Sequence, residues 1–322
     1  MVDLSIIIVS WNVADLLAAC LESIQAGPVY VVPPGGARPP DKERLSVEII
    51  VVDSGSTDHT AEVLRGFPMV RVLAQTENIG FTRGNNLGLR VAQGRYLMLL
   101  NPDTRVIGDA LPTLAGYLDA HPEVGIVGPH TLNPDGSTQS TRRRFPTFLT
   151  ALFESTWLQP YAPPGVLRRY YVSDMPDEAV FEVDWMQGSA LMARREVYER
   201  IGGLDERFVM YSEEMDWCRR TKDAGWKVVY VGTARIVHHG GKSTDQVVAQ
   251  RHIYFQQSKV RYFYKHHGRL AGEALRFFLL GNYAWQWGVE WLKGRLGHKP
   301  ELRRERTAAY REVLRSRLRP EG

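Results

Sequence analysis

The feature that most constrains the fold is an alternation along the first part of the chain. Short apolar runs rich in β-branched residues, LSIIIVS (4–10), VEIIVVD (47–53), MVRVLA (69–74), RYLMLLN (95–101) and VGIVG (124–128), are separated by amphipathic stretches at Val13–Gln25, Asp58–Arg65, Thr82–Ala92 and Asp109–Ala120. Strand-length runs alternating with helix-length segments predict β-α-β units on a largely parallel sheet. Gly27–Arg44, dense in Pro and Gly, interrupts the first crossover and is expected to be a surface loop rather than a domain boundary. With 322 residues, 44% of them hydrophobic, the chain has the material for a sizeable core, which argues against disorder over its whole length.

After the turn signal Asn133-Pro-Asp-Gly136 the periodicity weakens, and Arg142–Val180 reads as an irregular, aromatic-containing cover over a site. Regular signals return in VDWMQGSALMA (183–193), a helix over Ser212–Ala224 and a strand WKVVYV (226–231), and beyond Gln246 the chain reads as helices. There is no internal repeat. Forty basic against 36 acidic side chains leave a formal charge of +4, so a pI near 9.0 does not point to a nucleic-acid partner. The excess is local: Lys293–Arg319 holds ten Lys or Arg against three Glu. Cys20 and Cys218, far apart in sequence, suit a reducing compartment, and the amino end shows a strand where a secretion signal would lie. A cytoplasmic protein is expected.

Strand ends of an open parallel sheet converge on a crevice where ligands bind. Asp53 ends the second run in VVDSGSTD, where a carboxylate can accept hydrogen bonds from a base or ribose; the alternative is an Asx turn leading into a helix at Asp58. Asn101-Pro-Asp103 ends the fourth run, and a carboxylate there can hold a divalent cation whose shell phosphate oxygens complete, although such a tripeptide alone is an ordinary turn. Tyr211-Ser-Glu-Glu-Met-Asp216 puts three carboxylates at a helix start, where acids also simply offset the macrodipole. His238-His239 follows a strand; such a pair is more often solvated or packed than a ligand.

Taken in order and spacing, ENIGFTRGNN (77–86), LMLLNPDT (97–104), WMQGSALMARRE (185–196), IGGLDERFVMYSEEMDWCRR (201–220) and IVHHGGKS (236–243) closely resemble the successive motifs of family 2 inverting glycosyltransferases, within them most of all the rhamnosyltransferase branch. The resemblance covers roughly residues 4 to 265 and implies an α/β GT-A fold: a mostly parallel nucleotide-binding sheet with flanking helices, followed by a helical carboxyl extension. It divides the chain into a GT-A domain over 1–265, with a donor half to about 130 and an acceptor half from about 131, and a basic helical extension over 266–322.

Carried onto this chain, the resemblance implies that Asp53 contacts the donor base and that Asn78, Arg83 and Asn86 line the donor pocket. Asp103 stands at the second carboxylate of the family's D-x-D motif, while Asn101 replaces the first and leaves one fewer negative charge on a Mg or Mn ion. His238 fits the family's further metal or diphosphate ligand, with His239 as the alternative. The family's base corresponds to Glu214, one methylene longer than the usual Asp, with Glu213 as the other candidate. Trp185, Met186, Gln187 and Gly188 are candidates for shaping the acceptor site, although an apolar Trp-Met pair is as often core.

The implied reaction is a single displacement moving one sugar, L-rhamnose from dTDP-rhamnose first among the options, from a nucleotide-diphosphate donor to a glycan or lipid-linked glycan hydroxyl. Other donors, such as hexosyl or galactofuranosyl ones, and a degenerate nucleotide-sugar-binding protein are the competing readings. A dinucleotide oxidoreductase would need a glycine-rich turn where Ser10-Trp-Asn-Val13 stands, and a processive synthase a membrane channel that no apolar run supplies. Apolar residues at helical spacing over 277–292 (Phe277, Leu280, Ala284, Trp287, Trp291), ahead of the basic segment, fit either a packed helix or one lying on an anionic membrane surface at the inner face of the cell membrane.

Overall fold

The structure is a computed structural model that describes residues 2–37, 44–240 and 248–319. It contains strands β1 (Leu4–Ser10), β2 (Val29–Val31), β3 (Leu45–Asp53), β4 (Val70–Ala74), β5 (Tyr96–Leu100), β6 (Thr104–Ile107), β7 (Val124–Leu132), β8 (Arg142–Arg143), β9 (Val180–Val183), β10 (Trp185–Met186), β11 (Ala190–Arg194) and β12 (Lys227–His238). The helices are α1 (Ala14–Gln25), α2 (Thr60–Arg65), α3 (Phe81–Val91), α4 (Ala110–Ala120), α5 (Phe148–Phe153), α6 (Val166–Tyr171), α7 (Arg195–Ile201), α8 (Glu213–Asp223), α9 (Val248–His267), α10 (Arg269–Arg295) and α11 (Pro300–Ser316).

Ten strands form one sheet in the order β2-β3-β1-β5-β11-β7-β12-β6, with β4 beside β3 and β9 beside β12. The amino-terminal strands pair in parallel as the alternation requires: Leu4–Ser10 runs in register with Val47–Asp53, and β5 joins the other edge of β1. Their side chains are buried on both faces, with Ile6, Ile7, Ile8, Val51 and Val52 among the residues closed off from solvent. Helix α3 packs against this sheet through glycine: a Cβ at Gly88 would stand 2.4 Å from Ile7 Cγ2, and one at Gly84 would stand 2.8 Å from Val9 Cγ1.

The second half of the chain makes the sheet mixed. β11 enters antiparallel between β5 and β7, and β6 pairs antiparallel with the far end of β12. β6 directly follows the Asn-Pro-Asp turn and was not legible as a separate strand, because four residues carry too little periodicity. β12 runs twelve residues, well past the expected Val231, because Arg235–Val237 regain pairing with β7 after an irregularity at Val231. Within Gly27–Arg44, Val29–Val31 forms β2 on the edge of β3, and residues 38–43 of that stretch lie outside the described residues.

By compactness the chain divides into two units. The first comprises the chain up to Arg144, Tyr171–Glu206 and Glu214 through β12, and so holds the ten-stranded sheet. The second comprises Phe145–Tyr170, Arg207–Glu213 and the chain from α9 onward. In it Leu275, Leu279 and Tyr283 turn inward along α10, the Phe148 ring meets Phe263 edge-on at 6.2 Å, and Lys259 Nζ donates to Glu154 Oε2 at 2.7 Å. A buried Arg303–Glu290 ion pair ties α11 to α10.

Candidate active site

The ends of β1 and β3 place Asp53 and Ser10 side by side in register. Asp53 is buried, and its Oδ1 accepts the Ser56 N–H at 3.1 Å, a turn that folds the following small residues back over the strand end. Gly55 takes φ +71° there, and a Cβ would lie 2.7 Å from the Glu77 backbone, so the loop after β3 sits directly on the loop before α3. Ser54 Oγ joins them, donating to Asn78 Oδ1 at 3.1 Å while accepting the Ile79 N–H at 2.9 Å. Asp58 reaches across to accept the Ala14 N–H at the start of α1 and the Thr60 N–H, each at 3.1 Å. Burial pushes its carboxyl up, but hydrogen bonds from Thr60 and Ala14 outweigh that and hold it below its ordinary value. The Asx-turn reading of Asp58 is what the structure holds.

Arg83 and Asn86 lie on α3 with different environments. Arg83 is exposed, with Glu206 Oε2 3.8 Å from its Nε. Asn86 is buried and its amide is engaged on both sides: Nδ2 donates to Leu204 O at 2.8 Å and Oδ1 accepts the Leu204 N–H at 2.9 Å. It therefore stitches α3 to the segment before α8.

At the end of β5 the chain turns through Asn101-Pro-Asp103. Thr104 Oγ1 donates to Asn101 O at 2.7 Å and Asn101 N–H donates to Ser189 O at 2.9 Å, which pins the turn to the start of β11. Antiparallel pairing of β6 with β12 puts His238 opposite Thr104, and His239 N–H donates to Asp103 O at 2.9 Å. That register brings His238 Nε2 to 3.2 Å from Asp103 Oδ1 and 3.3 Å from Asn101 Nδ2. His238 Nδ1 faces Gln139 Oε1 at 2.7 Å. Asn101 Oδ1 is buried without a hydrogen-bond partner among the described residues. A carboxylate and an imidazole nitrogen thus meet beside the Asn101 amide, a donor set that fits a divalent cation sharing its shell with diphosphate oxygens. Among the described residues no group of three or more His, Cys, Asp or Glu side chains is placed to hold a metal ion, in keeping with a set of only two such residues and an amide.

The acidic helix start lies close by through Gly188. A Cβ at Gly188 would fall 3.6 Å from Glu214 Cβ and Cγ, and the next residue is the Ser189 that receives the Asn101 N–H. Glu213 and Glu214 are both buried, and Tyr211 and Ser212 before them take φ of 69° and 65°, a left-handed conformation costly for side-chain-bearing residues and recurrent at functional sites. Asp216 has a structural partner: its Oδ2 accepts from Arg220 Nε at 2.8 Å, and Arg220 also donates to the carbonyls of Ile201 and Gly203. Trp185 and Met186 are buried in β10, which pairs with β8; the Trp185 indole N–H donates to Arg144 O at 3.0 Å, and Gln187 N–H donates to Thr141 O at 2.9 Å. Residues 241–243 of the histidine motif lie outside the described residues. Sequence reasoning passed over Gln139 and Ser189, the first in a stretch legible only as a turn, the second hidden inside an apolar run.

A mixed sheet whose strand ends gather Asp53, an Asn-Pro-Asp turn, a histidine and an acidic helix start is a GT-A glycosyltransferase scaffold. A mannosyltransferase from Pyrobaculum calidifontis, solved with GDP-Man and Mn2+, superposes with a TM-score of 0.55 at 20% identity, over 98% of this chain and 84% of that one. Residues 5–202 match Glycosyl transferase family 2, and the chain belongs to that family. It is 28% identical over 274 residues to the N-acetylglucosaminyl-diphospho-decaprenol L-rhamnosyltransferase of Mycobacterium tuberculosis, covering 81% of this chain and 86% of that protein. It is 26% identical over 203 residues to the rhamnosyltransferase WbbL of Escherichia coli K12, covering 57% and 69%.

Proposed function

We propose that this glycosyltransferase is cation-dependent and inverting, and that it transfers a single sugar, L-rhamnose from dTDP-rhamnose, to a hydroxyl of a lipid-linked glycan in cell-wall or polysaccharide synthesis. The observation that carries this reading is the convergence about Gly188–Ser189: Glu214 packs against one residue, and Asn101, beside Asp103 and His238, bonds the next. Two relatives are rhamnosyltransferases, and one is named for an acceptor on diphospho-decaprenol.

Asp53 and Asn78, joined through Ser54, hold the base and ribose end of the donor, with Arg83 at the pocket's exposed side. Asn86 contributes by fixing α3 against Leu204. Asp103 and His238, beside the Asn101 amide, would hold a Mg or Mn ion that also takes the donor diphosphate. Such an ion, when bound, stabilises the charge that develops on the leaving diphosphate. Glu214 takes the proton from the acceptor hydroxyl as its oxygen attacks the anomeric carbon opposite the leaving group, and one displacement inverts the configuration. Glu213 is the neighbouring carboxylate against which this role is tested. Trp185 and Met186 form the packed wall on which Gln187 and Gly188 present the acceptor side. The catalytic part is read as residues 1–265 and the carboxyl extension as residues 266–322.

Placement at a membrane surface is part of the same reading. Among the described residues no helix is long and apolar enough to cross a membrane. The second unit nevertheless exposes Phe277, Trp285, Trp291, Leu292 and Leu296 along α10 and its end, with Trp157 6.2 Å from the Trp285 ring. Arg295 lies over Trp291, a pairing of ring and cation suited to the interface of an anionic bilayer on the cytoplasmic side.

The test is a panel of nucleotide sugars assayed by thermal stabilisation with and without a divalent cation. dTDP-rhamnose is expected to rank first and to need the cation; at a hundredfold over its dissociation constant a ligand adds about 2.7 kcal/mol. Equal response to uridine and guanosine donors would remove the rhamnosyl assignment.

A further inference from the structure

The Asn133-Pro-Asp-Gly136 turn, read in the sequence only as a break between elements, carries a hydrogen-bond chain that ends on His238. The turn closes on itself, with Asn133 N–H donating to Ser137 O at 2.8 Å and Gln139 N–H donating back to Thr131 O at 2.9 Å. Along its side chains, Asp135 Oδ1 is 2.6 Å from Ser137 Oγ, Ser137 Oγ is 2.9 Å from Asn133 Nδ2, Asn133 Oδ1 is 3.0 Å from Gln139 Nε2, and Gln139 Oε1 is 2.7 Å from His238 Nδ1.

The direction of every bond follows from its first member. An ionised carboxylate only accepts, so Ser137 gives its single hydroxyl proton to Asp135. Hydrogen bonds from the Ser137 hydroxyl and amide hold the Asp135 carboxyl below its ordinary value, which keeps it ionised at neutral pH. Ser137 Oγ can then only accept from the Asn133 amide, which turns Asn133 Oδ1 toward Gln139. Gln139 Nε2 donates there, so Oε1 is the atom that faces the imidazole, and the Nδ1 it meets must carry a proton. In the neutral ring that leaves the lone pair on Nε2, the atom directed at Asp103 and Asn101.

We propose that Gln139 is a positioning residue: the one-way chain from Asp135 through Ser137 and Asn133 makes it an acceptor, and it holds His238 as the Nδ1–H tautomer with Nε2 free for the cation. This rests on the reading of Asp103 and His238 as cation-holding residues. Acceptors behind a metal-bound imidazole fix its ring orientation and raise its basicity, and removing one typically weakens metal binding by about 10–100-fold.

The experiment measures Mn2+ affinity of the full chain in the presence of deoxythymidine diphosphate, from the loss of the free-ion electron paramagnetic resonance signal. Gln139→Met keeps the length of the side chain but removes the acceptor, and is expected to bind Mn2+ about 10–100-fold more weakly. Gln139→Glu restores an acceptor for Nδ1–H while losing the bond to Asn133 Oδ1, and is expected to recover affinity close to that of the natural protein. Wild-type affinity in Gln139→Met, with binding lost in His238→Ala, overturns the positioning role and leaves the cation site standing. Equal losses in the Met and Glu variants also overturn it, since they make Gln139 a support of the turn alone. Unchanged binding in His238→Ala instead sinks the cation reading on which the proposal rests.

Discussion

His238 Nε2 stands 3.2 Å from Asp103 Oδ1 because β6 and β12 pair antiparallel in a register that sets His238 opposite Thr104. Two motifs far apart in sequence thereby meet at the end of β5 as the proposed cation-holding pair. Asp103→Ala and His238→Ala are each expected to weaken the cation dependence of donor binding, whereas Glu214→Gln leaves it intact. Metal titrations followed by donor-induced stabilisation check this. Unchanged titrations for His238→Ala would return His238 to a packing role and make His239 the residue to examine.

The acidic helix start holds residues of different kinds. Asp216 is closed off from solvent and paired with Arg220, which clamps the carbonyls of Ile201 and Gly203. Breaking a buried pair from one side costs about 3–5 kcal/mol, so Asp216→Ala is expected to lower stability in urea by that order while the folded fraction still transfers sugar. A folded variant with transfer lost would place Asp216 in the chemistry.

Burial pushes the thiols of both Cys20 and Cys218 up to about 12. The native protein is expected to react negligibly with a thiol reagent at pH 8 and to expose two reactive thiols on unfolding. Because these pKa values are raised above the unfolded value near 9.0, the stability they contribute is complete below about pH 9 and is lost as pH rises toward 12. Rapid labelling of the folded chain would contradict the burial of Cys20 on α1 and Cys218 on α8.

Flotation with anionic liposomes tests the exposed rings of the second unit. Full-length protein is expected to float at low salt and to be released as salt rises, and Trp157→Ser with Trp285→Ser is expected to reduce binding without changing the melting temperature. Protein that stays soluble at low salt makes a soluble acceptor the better assignment.

The parallel half of the sheet was legible because its strands are continuous apolar runs separated by helical periods, and Ile6, Ile8 and Val51 lie in the core those runs predict. Short antiparallel pieces were not: β6, β8 and β10 are too brief to show a period, and their pairing depends on contacts remote in sequence. The same limit applied to the site. Asp103 and His238 stood out by motif, while Gln139 drew no attention because its partner His238 lies 99 residues further along the chain. The apolar spacing along α10 could not say which of its faces is buried: Phe277 and Trp291 face solvent, and the helix packs through Leu275, Leu279 and Tyr283. A helix with apolar residues on more than one face leaves periodicity unable to choose between them.

The most direct test of the account is single-turnover transfer by Glu214→Gln, measured beside donor affinity and the anomeric configuration of the wild-type product. The account predicts an inverted product, unchanged donor affinity in the variant, and transfer slowed by about a hundred- to ten-thousandfold, the usual contribution of a placed general base. Near-normal transfer by Glu214→Gln with Glu213→Gln inactive would move the base one residue back; both variants active, or a product of retained configuration, would contradict the mechanism.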